Sequence, residues 1–586
     1  MTTPRRTAVL SALIASVIAV NLVPIAPVRA QRQPPDRRFG AIESFRDPVS
    51  AAEVGVGWER ILLYWSQLQP NGPDDWNPYH LPDDWLNLAG GAGREVVGLL
   101  IDTPAWATDE ISGCGVPRGL YLPVDDPGNL WANFVRTVVD RYRGRINRWI
   151  IWNEPDIKMG DFGVQWCGSL EDYYQLLKVA YIAAHEVNPD VAIHLAGMTT
   201  FHDPTYLRRL LVHATQDPDG SAYGYYFDAV SLHIYFRVDN IIEIVRSTRS
   251  TLGSFGLSKP IWINETNAPS NNDPPFFVLP GANFDITLEE QASFLLQAFA
   301  LALTQGVDRI AAYKWVDNQP RDGEEQFGII RTDYSRRPAF DAYRLIVDYY
   351  SGATAARADR RELYELVTLS RGARTTRVAW TRTRQSVSVT APALAQQAIL
   401  IDQTGAQHPL QAIDGQYTID LPGARCADKR GCIIGGPTFL LVEEASGDPG
   451  GSEPIGDATE STGTPGPGEL VETALISDTL SITMTLEATA PVSPIETPTL
   501  KPTTTPSTTP TGTPSPSRTP TQRPSETPTA TASPPPATAA HPTATPAPTP
   551  GANETLPQIP WLPVAGLAIA AVAALTAGIL FRRPTE

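Results

Sequence analysis

Between residues 39 and 350 the chain alternates short runs that are apolar on both faces with longer stretches whose apolar positions recur every three to four residues. The first kind reads as buried strand and the second as amphipathic helix. Strands are predicted at 39–45, 60–65, 96–103, 146–153, 191–197, 229–235, 260–265 and 310–315, and helices at 130–142, 170–187, 241–252, 288–304 and 339–350. Strands without a polar face, separated by helices, imply a parallel sheet covered on both sides. Eight such units in about 300 residues predict an α/β fold, a (β/α)8 TIM barrel over residues 31–355. An open doubly wound sheet is the rival arrangement. It usually carries a Gly-rich first turn, and Gly40-Ala41-Ile42-Glu43 is no such turn.

From residue 356 the period shortens. Alternating runs at 363–369, 376–381, 386–390, 398–402, 417–421 and 438–442 are separated by turn residues such as Thr404-Gly405 and Asp414-Gly415. They predict a small antiparallel β-sandwich, an accessory domain over 356–446. Residues 447–555 are dominated by Pro, Thr, Ser and Gly and are almost without aromatic side chains. Such a tract cannot bury enough apolar surface to offset its ordering entropy, so a disordered, semi-stiff linker is expected.

The two ends carry a different signal. Arg5 and Arg6 precede an apolar run that closes on Val28-Arg29-Ala30, the form of an export signal peptide over residues 1–30. Residues 561–581 are apolar and uncharged, and 21 residues at about 1.5 Å each match the ~30 Å hydrocarbon layer. Arg582 and Arg583 follow, so a transmembrane helix with a cytoplasmic tail at 582–586 is expected, with the preceding chain exported and anchored at the membrane. Leu556-Pro557-Gln558-Ile559-Pro560 resembles a sortase sorting signal but lacks its Thr and Gly.

A net charge of −17 disfavours nucleic acid as a partner and leaves carbohydrate among the candidates. No obligate protein partner is evident. The four cysteines suit an oxidising compartment: Cys426 and Cys432 could close a small loop, and Cys114 and Cys167 could bridge two loops on one rim of the barrel. Neither pair has metal-ligand spacing with histidine, so no metal is expected and no cofactor is implied.

In a (β/α) barrel the reacting groups stand at the C-terminal ends of strands. Ile150-Ile151-Trp152-Asn153-Glu154-Pro155-Asp156 ends the fourth predicted strand in a carboxylate, and Ile261-Trp262-Ile263-Asn264-Glu265-Thr266 does the same for the seventh. Alone, Asn-Glu-Pro is a common helix start, and a strand-end glutamate is usually a solvated charge. Two carboxylates across one mouth are what glycoside hydrolysis needs, one protonated for the leaving oxygen and one ionised. His233 and Tyr235, two apart on the sixth strand, share a face. Trp106, after the third strand, is placed to stack on a sugar ring.

Trp152-Asn153-Glu154-Pro155 followed by Trp262-Ile263-Asn264-Glu265 resembles clan A of the glycoside hydrolases, family thirty-nine first and family five next. The resemblance covers residues 39–350. It implies a retaining enzyme that cleaves a β-linked oligo- or polysaccharide by double displacement, with Glu154 as acid/base, Glu265 as nucleophile and Asn153 binding the substrate 2-hydroxyl. It further implies that His233-Ile234-Tyr235 matches the clan's His-x-Tyr, that Trp315 floors the cleft at strand eight, and that Arg60 supports the nucleophile, although Arg60 stands at the wrong end of its predicted strand. The alternative is a non-catalytic carbohydrate-binding adhesin on a barrel scaffold. Retention of both carboxylates and of Asn153 argues for the enzyme.

Overall fold

The computed structural model describes residues 34–161, 163–270, 273, 286–318, 326–426 and 433–444. The signal peptide expected at 1–30, the linker at 447–555, the apolar helix at 561–581, the tail at 582–586 and Cys432 lie outside the described residues. Among the described residues no helix is long and apolar enough to cross a membrane.

Eight parallel strands close a barrel in chain order: β1 (Phe39–Ala41), β2 (Trp58–Tyr64), β3 (Glu95–Ile101), β4 (Ile146–Asn153), β5 (Ala192–Met198), β6 (Ala229–Tyr235), β7 (Ile261–Asn267) and β8 (Arg309–Ala312). Closure is made by β8 pairing with β1, Phe39 opposite Ile310. The lower interior is filled by tryptophans. Trp58 meets Trp262 edge-on at 5.0 Å, and His194 meets the same indole at 4.6 Å. Glycine on the neighbouring strand makes the room: a Cβ at Gly40 would overlap the Trp58 ring, and one at Gly98 the Trp149 ring. A barrel plugged in this way has no pore, so its chemistry belongs to the open rim.

Among the described residues, eight further strands follow the barrel. Six form one antiparallel sheet in the order β14-β13-β16-β11-β10-β9, where β9 is Ala355–Arg360, β10 Tyr364–Arg371, β11 Arg374–Thr381, β13 Gln397–Asp402, β14 Gln407–Gln411 and β16 Phe439–Glu444. The remaining two, β12 (Val387–Pro392) and β15 (Gln416–Leu421), pair with each other. Strand period two divides the larger sheet between two cores. Leu366, Ala379 and Leu441 pack against Val389, Tyr417 and Ile419, while their chain neighbours Val367, Val378 and Leu440 join the barrel core.

The helix Leu288–Thr304 lies between the two. Every residue from Gln291 to Ala302 is buried, as expected of a helix that is covered all round. Two of its buried polar side chains are met from the β-domain: the Gln297 amide donates to Gly436 O (2.9 Å) and Thr438 Oγ1 (3.0 Å) and accepts from Gly435 N (3.0 Å), and Ser293 Oγ donates to Gln403 Oε1 (2.5 Å).

Candidate active site

The chain leaves the top of β4 through two non-glycine residues in the left-handed region, Trp152 (φ 72) and Glu154 (φ 46). Such conformations cost about 1–3 kcal/mol each and persist where the surroundings over-determine them. Here Glu154 N donates to Gly197 O at 3.0 Å, and the Trp152 indole donates to Gln165 O at 2.7 Å. Asp156, two residues on, accepts from Thr199 N, Thr199 Oγ1 and Thr200 N at 2.7–3.2 Å, tying the loop after β5 to the end of β4. Asn153 is buried, and its amide donates to Gln165 Oε1 at 3.1 Å.

Glu265 reaches the interior by a change of register. On β6, Leu232 opposes Ile263 of β7, but His233 opposes Glu265, so Asn264 and Glu265 together face one residue of β6. A β-bulge of this kind moves the residues after it to the other face. It sets Glu265 beside His233 and Tyr235 on the inner face.

The arrangement around the two acids is compact. His233 Nδ1 lies 2.6 Å from Glu154 Oε1 and 3.4 Å from Glu265 Oε2. Glu154, His233 and Glu265 each bring one such atom within 4.8 Å of the others. Tyr235 Oη donates to Glu265 Oε2. Arg60, the third residue of β2 and 1% exposed, sets Nη2 2.5 Å from Glu265 Oε1. Because β2 begins at Trp58, Arg60 is not at the strand start, and its long side chain spans the interior to Glu265.

The two carboxyls are held in opposite directions. Burial raises Glu154 above the ordinary 4.5, and the negative charges of Glu265 and Asp156 add to that, against the opposing contribution of His233. Burial also pushes Glu265 up, but the charges of Arg60 and His233 and the Tyr235 and Arg60 hydrogen bonds outweigh it and hold Glu265 below 4.5.

A cavity of about 1000 Å³ opens above this pair, lined among others by Arg60, Asn153, Glu154, His233, Tyr235 and Glu265. Two expected residues are not part of it. Trp315 lies beyond β8, which ends at Ala312; it is fully buried, its indole donating to Ser50 Oγ (3.0 Å) and its ring packing against Phe340 and Tyr343. The expectation that Trp315 floors the cleft is therefore corrected: Tyr313, two residues earlier, lines the cavity instead. Trp106 also stands outside the cavity lining, half-buried, with its indole donating to Gln69 O (2.7 Å) and its ring edge-on to Trp65. It packs one rim loop and is not placed to stack on a ligand there.

The Cys114–Cys167 disulfide, Cα atoms 5.0 Å apart, joins the loop after β3 to the loop after β4. It stands two residues from Gln165, the residue that fixes both Trp152 and Asn153. Sequence reasoning did not single out Gln165, Asp156, Tyr313 or Gly197. Only Gly197 has a chain signal, a glycine at the end of an apolar strand.

No protein-family model matches the sequence, and no curated protein does. Among solved structures, a GH30 endoxylanase from Clostridium papyrosolvens C71 aligns at a TM-score of 0.47 and 12% identity over 70% of this chain and 97% of its own. A family 51 alpha-L-arabinofuranosidase from Bifidobacterium longum aligns at 0.44 and 14% over 70% and 96%. A family 39 glycoside hydrolase from the gut symbiont Bacteroides cellulosilyticus WH2 aligns at 0.53 and 18% over 70% of this chain and 81% of its own, and it is the barrel fold of that enzyme which this chain shares.

Proposed function

We propose that this protein is a retaining glycoside hydrolase acting on β-linked carbohydrate. The observation that carries the reading is the acid pair: a half-buried Glu154 and a buried Glu265 with oxygens within 4.8 Å, the first pushed towards its protonated form and the second held ionised. Retaining enzymes need carboxyl groups about 5–5.5 Å apart, whereas inverting ones leave about 6.5–9.5 Å for a water. The spacing here favours the former.

In the first displacement Glu265 attacks the anomeric carbon, and Glu154 transfers its proton to the departing glycosidic oxygen. In the second, Glu154 takes a proton from water, whose oxygen displaces Glu265 and restores both groups. Arg60 and Tyr235 keep Glu265 charged and aimed. Asn153 Oδ1 is buried without a hydrogen-bond partner at the cavity wall, which suits acceptance from a sugar hydroxyl, the 2-hydroxyl on the clan resemblance. An adhesin would have no use for a carboxyl pair polarised in this way.

The apolar segments at 1–30 and 561–581, together with a disulfide at the barrel rim, support the further proposal that the enzyme is exported and held at a membrane by its C-terminal helix. The test of function is a screen of the purified protein against aryl β-glycosides and β-glycans, with the first-formed anomer read by NMR. Hydrolysis with retention is expected. An inverted product overturns the mechanism, and no turnover across the panel overturns the enzyme.

A further inference from the structure

The cavity does not end at the acid pair. It continues over the loop after β5, where Phe201 stands 86% exposed, and along one flank of the helix Asn240–Ser254. That helix contributes Asn240, Glu243, Ile244, Ser247, Thr248 and Thr251. The spacing of three, four, seven, eight and eleven from Asn240 puts all of them on one helical face, so the wall is a continuous stripe about 16 Å long. A site for one terminal sugar would close within a ring's width of the carboxyls, and this one runs on for three helical turns.

The chemistry of the extension is mixed in the way a glycan is mixed. Leu207, Ile244 and the buried Thr248 present an apolar floor, and Phe201 stands open at the rim. Hydroxyls and a carboxyl from Ser247, Thr251 and Glu243 line the same wall. Sugar rings offer C–H faces to the first set and hydroxyl edges to the second. The charge is against an acidic chain: Asp161, Asp203 and Glu243 line this part of the cavity beside Arg237, and Asp203 is already paired with Arg209 at 2.5 Å.

We propose that this groove binds consecutive units of a neutral glycan beyond the bond that is cleaved, so that the substrate is an oligo- or polysaccharide and not a small glycoside. The inference rests on the glycosidase reading for its catalytic centre, but the groove can be tested apart from it.

The experiment compares the full chain with Ser247→Trp, which fills the groove, and with Ser250→Trp, the same change at an exposed position of that helix outside the cavity. Activity is measured on p-nitrophenyl β-xyloside and β-glucoside and on the xylo- and cello-oligosaccharides from dimer to hexamer, and binding of the same oligosaccharides by calorimetry. Wild type and Ser250→Trp are expected to prefer the hexamer over the dimer by about tenfold or more in kcat/KM and in Kd, and Ser247→Trp to lose that preference. Absence of a length preference in wild type, or its survival in Ser247→Trp, overturns the groove while aryl-glycoside turnover leaves the enzyme standing. Length-dependent binding without turnover of any substrate overturns the glycosidase and upholds the groove.

Discussion

Gly197 on β5 gives the imidazole of His233 on β6 the space it occupies: a Cβ at position 197 would collide with the ring at Nε2. The histidine can stand between Glu154 and Glu265 only because its neighbour has no side chain. Gly197→Ala is therefore expected to push the ring off both carboxyls. Misplacement on this scale costs about 100-fold in rate, and overpacking a filled site costs about 1–3 kcal/mol of stability. Steady-state kinetics beside a thermal melt will show whether kcat falls out of proportion to stability.

Glu265 is both the proposed nucleophile and the partner of a buried cation, and two variants separate these roles. Glu265→Gln keeps the shape and leaves an oxygen for Arg60, so turnover should vanish with a modest change in Tm. Glu265→Ala strips Arg60 Nη2 of its acid, and Nε and Nη1 of that guanidinium already have no hydrogen-bond partner. Removing one member of a buried pair costs about 3–5 kcal/mol, so the alanine variant should melt well below the glutamine one.

The opposite displacement of the two carboxyls sets a bell-shaped pH profile for kcat/KM. Activity is lost as pH falls through the value of Glu265, which lies below 4.5, and again as pH rises through that of Glu154, which lies above 4.5. Arg60→Met removes the largest influence that holds Glu265 down. The acid limb should then move to higher pH. An unmoved acid limb would separate it from Glu265.

Reduction of Cys114–Cys167 should act on both stability and chemistry. A crosslink closing a separation of 53 residues contributes about 4 kcal/mol on the chain-entropy scale. Because the neighbouring Gln165 orients Asn153, the paired Cys114→Ser and Cys167→Ser variant should also show a raised KM at temperatures where it remains folded.

Glu365, at the seam between barrel and β-domain, is pushed up to about 7 by burial, against the opposing charges of Arg360 and Arg382. A carboxyl raised in the fold keeps a proton that the unfolded chain releases near 4.5, so the unfolded state binds fewer protons between those values and stability falls as pH rises from about 4.5 to 7. Glu365→Gln should flatten that part of a Tm against pH curve.

Much of the barrel is legible in the chain because buried parallel strands read as unbroken apolar runs, and each of the eight predicted runs overlaps a strand. β9 and β14 were missed for the converse reason. Ala-Ala-Arg-Ala-Asp-Arg and Gln-His-Pro-Leu-Gln lie at the two edges of their sheet, where solvated positions and a proline are tolerated and the alternation fades. In the site, the two glutamates and the His-x-Tyr face could be placed by counting strands. Trp315 could not, since a large apolar residue just past a strand packs equally well into core or cleft. The bulge that turns Glu265 inward has no sequence signature of its own.

The helix Leu288–Thr304 makes the shift in pattern near residue 355 a change of architecture without a seam. A chain cut after Tyr350 would put the outer side of that helix, with Gln297 and Ser293 deprived of Gly435, Gly436, Thr438 and Gln403, into water. Barrel and β-domain should accordingly melt in a single transition, and a destabilising change in either half will be felt at the acid pair as a loss of folded protein.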